Sequence, residues 1–400
     1  MQQALSASQK RIESIDILRG IVMVIMALDH VRDYFHIQAN LDNPLNLATT
    51  TPLLFFTRWI THFCAPVFVF LSGTSIYLQS LRKTKKELAA FLIKRGLWLI
   101  VVEFVLVSFA WSFNPNYNFI FFQVIWAIGI SMVILGLLIR FPFNLILALG
   151  IVIVFGHNLL DIPESAPGFK TGFWLDLLHS ARFSVHPYAE NHVILIAYPF
   201  LPWMGLMMLG YCTGIYFSPK FTVAQRRKIV TRIGWGLILL FIVIRVINIY
   251  GDPVAWRTQR NELFTFFSFI NVHKYPPSLL YMCITIGPAL LFLSFIERFQ
   301  NRFTNIMRTY GRVAFFYYVL HIYLVHLLSA IAFFARGHSL QEADNTANFF
   351  PFYFLAAGEG YNLAVVYGVW AFVVIALYPL CKWYDNYKTK HKEKWWLSYL

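Results

Sequence analysis

At 400 residues and 46.6 kDa the chain has room for several soluble domains, but its composition excludes them. Apolar residues make up 58% and charged residues only 13%, about half the ~25% charged share of globular chains, and Phe alone takes 40 positions. A globule of this size has too little interior for so much apolar side chain, so lipid must solvate it; disorder, collagen-like repeats and nucleic-acid modules drop out. The net charge of +14 arises from 33 Lys+Arg against 19 Asp+Glu and sits between the apolar runs.

Ten segments approach the ~20 residues that a helix needs to cross a bilayer. In chain order the predicted spans are 15–36, 59–80, 88–112, 119–139, 143–160, 194–216, 233–250, 278–297, 312–335 and 362–383. The first follows a polar N-terminus with no small-residue cleavage signal after it and reads as an uncleaved span. Alternate connections carry 21 Lys/Arg against 7 on the opposite side, which predicts both termini in the cytoplasm. The longer connections, 37–58, 161–193, 251–277 and 336–361, then lie outside. The expected fold is an all-α polytopic membrane protein, a single transmembrane domain over 1–400. The four cysteines fall in or beside apolar segments without CxxC spacing, so neither a disulfide framework nor a zinc site is indicated.

Chemistry is concentrated in the first span, where Asp16, Arg19, Asp29, His30, Arg32 and Asp33 are expensive in lipid unless paired or wet. Asp16, Arg19 and His30 share one helical face, and Arg19 and His30 stand ~16 Å apart along the axis. A polar stripe thus runs from the cytoplasmic end into the outer half of the membrane. Asp33, one turn beyond His30, is placed to hold its ring, and Asp29 and Arg32 are spaced to pair. The plain alternative is an ion-paired plug between helices without chemistry.

The second span opens with His62, Cys64 and Pro66, and His62 enters on the same side as His30 and His36. Three imidazoles at one depth suit a proton relay, a metal or acyl transfer, but HxxxH and HExxH spacings are absent, so no metal is expected. In the ninth span Tyr317 and His321 share a face; a lone His on an apolar helix is more often a hydrogen-bonded core residue. Arg245 and Asn248 read as a structural pair. The cytoplasmic clusters around Arg82 and Arg226 suit headgroups or an anionic cofactor. Walker, GxGxxG and GxSxG motifs are missing.

The runs Ser14-Ile-Asp16-Ile-Leu-Arg19-Gly20 and Leu28-Asp29-His30-Val-Arg32-Asp33-Tyr-Phe-His36 are similar to a known family, as are stretches at His62–Gly73, Pro199–Gly205, Lys274–Ser278 and Tyr310–His321. The chain resembles bacterial members of the heparan-alpha-glucosaminide N-acetyltransferase catalytic-domain family. The Arg19-to-His30 spacing is also similar to the Arg-x10-His motif of a wider class of membrane acyltransferases.

The resemblance implies a multi-pass protein of the bacterial cytoplasmic membrane that acetylates an extracytoplasmic sugar or amino sugar from cytoplasmic acetyl-CoA, with a homodimer as one expected assembly. Its catalytic group would come from His30, Asp29, Asp33, His36 and His62. Asp16, Arg19, Arg82 and Arg312 would bind acetyl-CoA; Arg32, Asn271, Lys274, Tyr317 and His321 would face the acceptor, with Asn271, Tyr317 or a backbone N–H near Pro66 serving a developing oxyanion. The lysosomal relative carries an Asn at the position of His30 and its catalytic His in the following loop. Here His36 comes earlier and His62 later, so the base stays open between three histidines. Imidazole titrates near neutral pH and suits either direct deprotonation of the acceptor or an acyl-His step. A proton-coupled permease and a non-catalytic envelope partner are the competing classes; a permease predicts repeat symmetry, which the sequence lacks.

Overall fold

A computed structural model describes residues 12–39, 41–180, 182–343, 352–356 and 358–398. Lys10 and Arg11, counted among the charges of the N-terminal side, and part of the connection 336–361 lie outside the described residues. The chain is mainly helical. Helix α1 (Glu13–Phe35) leads to α2 (Pro52–Trp59), which continues through a 3-10 turn at Ile60–Phe63 into α3 (Cys64–Ser80). Helix α4 (Lys85–Val102) passes through a π-turn at Glu103–Val107 into α5 (Ser108–Ser112). Strand β1 (Phe119–Phe122) precedes α6 (Val124–Leu138) and α7 (Phe143–Gly156), which runs through His157–Leu160 into α8 (Asp161–Glu164). A short α9 (Phe173–Leu175) and a π-turn at Asp176–Ser180 lead to β2 (Ser184–Ala189) and β3 (His192–Ile196). The remainder is α10 (Phe200–Thr213), α11 (Val223–Ile247), α12 (Glu262–Ile270), α13 (Leu279–Ile296), α14 (Arg302–Arg312), α15 (Ala314–Ala335) and α16 (Leu363–Lys390).

Among the described residues seven helical runs are long and apolar enough to cross a membrane: Pro52–Ser80, Phe143–Glu164, Phe200–Phe217, Val223–Ile247, Leu279–Ile296, Ala314–Ala335 and Leu363–Lys390. Helices α11 and α16 turn Trp235, Leu239, Ile375 and Trp383 outward, an apolar belt that only lipid satisfies. The other three predicted spans coincide with α1 and α4, which carry more charge, and with α6, which has only 15 residues.

Two predicted spans begin too early, and the fold is not purely helical. Residues 119–122 and 194–196, read as the starts of helices, belong to a three-stranded sheet of order β1-β3-β2, with β1 parallel and β2 antiparallel to β3. The runs Phe-Ile-Phe-Phe and Val-Ile-Leu-Ile suit a strand, and a short apolar run has no periodicity that tells strand from helix. Strand pairing satisfies their backbone groups at the edge of the apolar region. The predicted ninth span also breaks at Val313, between α14 and α15.

Helix α1 is enclosed by α3, α14, α15 and α16. Its approach to α14 is backbone on backbone: a Cβ at Gly20 would meet the Met307 carbonyl oxygen at 1.8 Å, and one at Gly311 would meet that of Asp16 at 1.8 Å. Small residues permit such closeness between membrane helices. Helices α3 and α10 cross in the same way, with Thr74 Oγ1 donating to the Gly210 carbonyl at 3.0 Å. The buried Arg245 donates to the carbonyls of Val254, Ser268, Phe269 and Asn271, pinning the 251–277 connection to the end of α11. Asn248 pairs with the backbone of Trp256, in line with the structural reading of both residues.

Candidate active site

The helices surround a cavity of about 2270 Å³ that follows α1 from Ile12 and Glu13 to Arg32 and Asp33. With a rise of ~1.5 Å per residue, that stretch of helix covers roughly 30 Å, the thickness of a bilayer core. One end, where α1 begins, is basic: Arg82, Arg95, Arg226, Arg312, Lys388 and Lys392 line it. Arg226 is held by Glu297 at 2.6 Å and Arg312 by Asp385 at 3.0 Å. The other end is walled by the sheet, through Phe119, Phe121, Val193 and Leu195, and carries Asn114, Asn116 and Asn118.

Between the two ends lies the polar stripe of α1. Arg19 bonds Asp16 one turn away at 3.2 Å, donates to Ser75 Oγ on α3 at 2.9 Å and reaches the Gly311 carbonyl at 3.4 Å. Asp29 accepts from Arg32 at 2.9 Å on one oxygen and from Arg58 of α2 at 2.5 Å on the other. The Asp29–Arg32 pair follows the predicted spacing. Arg58 was legible only as an outer-loop charge; nothing in a linear sequence connects it to α1.

His30 lines the cavity, and its Nδ1 lies 2.7 Å from Nε2 of His321 on α15. His321 Nδ1 is 3.0 Å from the Tyr317 carbonyl, which can only accept, so His321 carries its proton on Nδ1. Its Nε2 is then the acceptor, His30 donates through Nδ1, and the basic nitrogen of His30 is Nε2. A backbone carbonyl thereby sets the tautomer of two rings in series.

Several predicted roles move. Asp33 does not hold His30; it accepts from Arg32 at 2.6 Å, because the guanidinium is the stronger partner within reach. His36 has turned away at the end of α1, where Nδ1 accepts from the Gln38 N–H, and lines a separate small pocket. His62 is buried edge-on against Tyr281 outside the cavity lining, so the three imidazoles do not converge. Asn271 caps the end of α12 and donates to the Leu45 carbonyl, away from the cavity. Tyr317 and His321 sit behind His30, stacked on each other 5.0 Å apart, and neither lines the cavity. Asp16, Arg19, Asp29, Arg32, Asp33, Arg82, Lys274 and Arg312 all do. Unpredicted neighbours are Arg58, Ser75, Tyr275 and Tyr318. None had a spacing signal, since each arrives from a different element.

No curated protein matches the chain. The family model for heparan-alpha-glucosaminide N-acetyltransferase, catalytic, matches residues 11–249, which hold α1 with its polar stripe and both walls contributed by α3 and the sheet. With well over half its length matched, from the start of α1 to the end of α11, the chain belongs to the heparan-alpha-glucosaminide N-acetyltransferase catalytic-domain family.

Proposed function

We propose that the protein is a ten-span acetyltransferase of a bacterial cytoplasmic membrane, both termini inside, that passes an acetyl group from cytoplasmic acetyl-CoA to a sugar or amino sugar on the far side. The observation that carries the reading is His30 standing in a cavity that reaches a basic mouth at the other end of the same helix. The bias of Lys/Arg toward the α1 N-terminal side supports that mouth as cytoplasmic. Arg82, Arg312 and their neighbours then suit the phosphates of acetyl-CoA, and Arg19 and Asp16 line the path of its pantetheine arm.

In the direct mechanism His30 Nε2 takes the proton from the acceptor amine or hydroxyl as that group attacks the thioester carbonyl. The new C–N or C–O bond forms, the C–S bond breaks, and the proton passes to the departing CoA thiolate. His321 is the positioning residue that keeps Nε2 basic. Lys274, in the same half of the cavity, supplies positive charge for the oxyanion. Asp29 and Arg32 act through their mutual pairing, which fixes the turn that bears His30.

The test is acceptor-dependent release of CoA by purified protein given acetyl-CoA and a panel of amino and hydroxyl sugars, with His30→Ala alongside. Release that needs an acceptor and disappears in the variant supports the reading. Absence of acetyl-CoA binding in calorimetry on the same preparation overturns it and favours a permease.

A further inference from the structure

Away from the cavity, the end of the α7–α8 run meets the π-turn that precedes β2, and three metal-ligating side chains converge there. Asp161 and Glu164 of α8 and His179 of the π-turn each offer one ligand atom, all within 4.8 Å of one another. Asp161 is 7% exposed and His179 is fully buried. His179 Nδ1 contacts Glu164 Oε1 at 2.8 Å, while Asp161 Oδ2 accepts from Asn158 at 2.6 Å. That leaves Asp161 Oδ1 and Glu164 Oε2 buried with no hydrogen-bond partner among the described residues.

Two buried carboxylates carry unsatisfied oxygens here, and His179 is the one side chain in ion-pair range of either among the described residues. Buried charge of this kind is ordinarily paired or bound to metal, because leaving it alone costs several kcal/mol. We propose that Asp161, Glu164 and His179 bind one divalent cation of the zinc class, with water completing the coordination. Zinc with imidazole and carboxylate ligands takes bonds of about 2.0–2.2 Å, which sets ligand atoms roughly 3–3.6 Å apart, within the observed spread. His179 keeps its other nitrogen 3.0 Å from Nδ1 of the buried His157, the outer-shell contact that orients a ligating imidazole.

The ion fastens the end of one membrane helix to the turn that launches the β2–β3 ribbon. From that ribbon Val185, Val193 and Leu195 reach the cavity wall. Asn158, which bonds Asp161, also accepts from the Leu279 N–H at the start of α13. The site is therefore a clasp for the sheet end of the cavity and takes no part in the chemistry at His30.

The experiment uses full-length protein in detergent without an oligohistidine tag, stripped by chelator and titrated calorimetrically with zinc chloride. One ion per chain is expected, with affinity at least tenfold weaker in Asp161→Asn and in Glu164→Gln. Cobalt(II) added to wild type reports the ligands without any variant: visible d–d bands with no thiolate charge-transfer band are expected. Absence of saturable zinc binding by wild type, undiminished binding in both folded variants, or a thiolate band from one of the cysteines overturns the site. None of these readouts depends on acetyl transfer.

Discussion

His30 and His321 lie ring to ring, 2.7 Å between Nδ1 and Nε2 and 9° between planes, at the point where α1 passes α15. The pair makes His321 an orienter of the group that faces the cavity. His30→Ala is expected to lower kcat for acetyl transfer by about 10²–10⁴-fold, the usual worth of a general base. His321→Leu should lower kcat with KM for acetyl-CoA little changed, and His321→Gln, whose Oε1 can accept from His30 Nδ1, should restore part of it. Steady-state kinetics beside a melting curve for each variant check this; equal losses for Leu and Gln would count against the orienting role.

Asp29 bridges two guanidiniums, Arg32 and Arg58, with side chains only 4% and 12% exposed, and Asp33 supplies Arg32 with a second carboxylate. Removing one member of a buried ionic cluster leaves the others uncompensated, at a cost on the order of 3 kcal/mol. Asp29→Asn should therefore lower the melting temperature markedly, and the double variant with Arg58→Gln should recover part of the loss. A double-mutant cycle in detergent measures the coupling.

Gly20 and Gly311 allow α1 and α14 to touch through their backbones, so a methyl group at either position has nowhere to go. Gly20→Ala and Gly311→Ala should each strongly reduce the yield of folded protein. Gly236→Ala on α11, where an added Cβ meets nothing within 4 Å among the described residues, should be neutral or slightly stabilising. Size-exclusion profiles and melting curves of the three compare them directly.

His273, in the connection before α13, is held below its ordinary pKa of 6.5 chiefly by burial; Arg182 and Arg245 add to the effect, while Asp252 and Asp161 oppose it. The unfolded chain thus binds a proton more readily than the folded one, so stability rises with pH across this titration. The contribution is whole above about pH 6.5 and declines as pH falls below it, levelling once the folded histidine is also protonated. His273→Asn should melt with a shallower fall between pH 7.5 and 5 than wild type.

Much of α1 was legible in the sequence, because a helix states its own internal contacts: Asp16 with Arg19 and Asp29 with Arg32 follow from spacing alone. What spacing cannot give is the partner from another helix. His30 was placed with Asp33 on the logic of one turn, whereas its hydrogen bond goes to His321, 291 residues away. His36 and His62 looked equivalent to His30 by depth, yet the rotation of their backbones turns both out of the cavity. The sheet was hidden for a different reason, since strands β1 and β3 are as apolar as the helices they precede. Asp161, Glu164 and His179 escaped because α8 and a π-turn bring them together across an irregular connection.

The order in which α1 finds its partners has a consequence for biosynthesis. Helix α1 is made before the helices that enclose it, and the Gly311 carbonyl that Arg19 reaches lies 292 residues later. At ~5–20 residues per second that partner is translated roughly 15–60 s afterwards. Before α2 and α3 are made, the charged helix has the pairs within itself, Asp16–Arg19, Asp29–Arg32 and Arg32–Asp33; Arg58 follows Asp29 by 29 residues, Ser75 follows Arg19 by 56, and Gly311 comes last. Those short-range pairs, present ahead of the finished cluster, lower the cost of holding so polar a segment in an apolar surrounding while its later partners are still to be made.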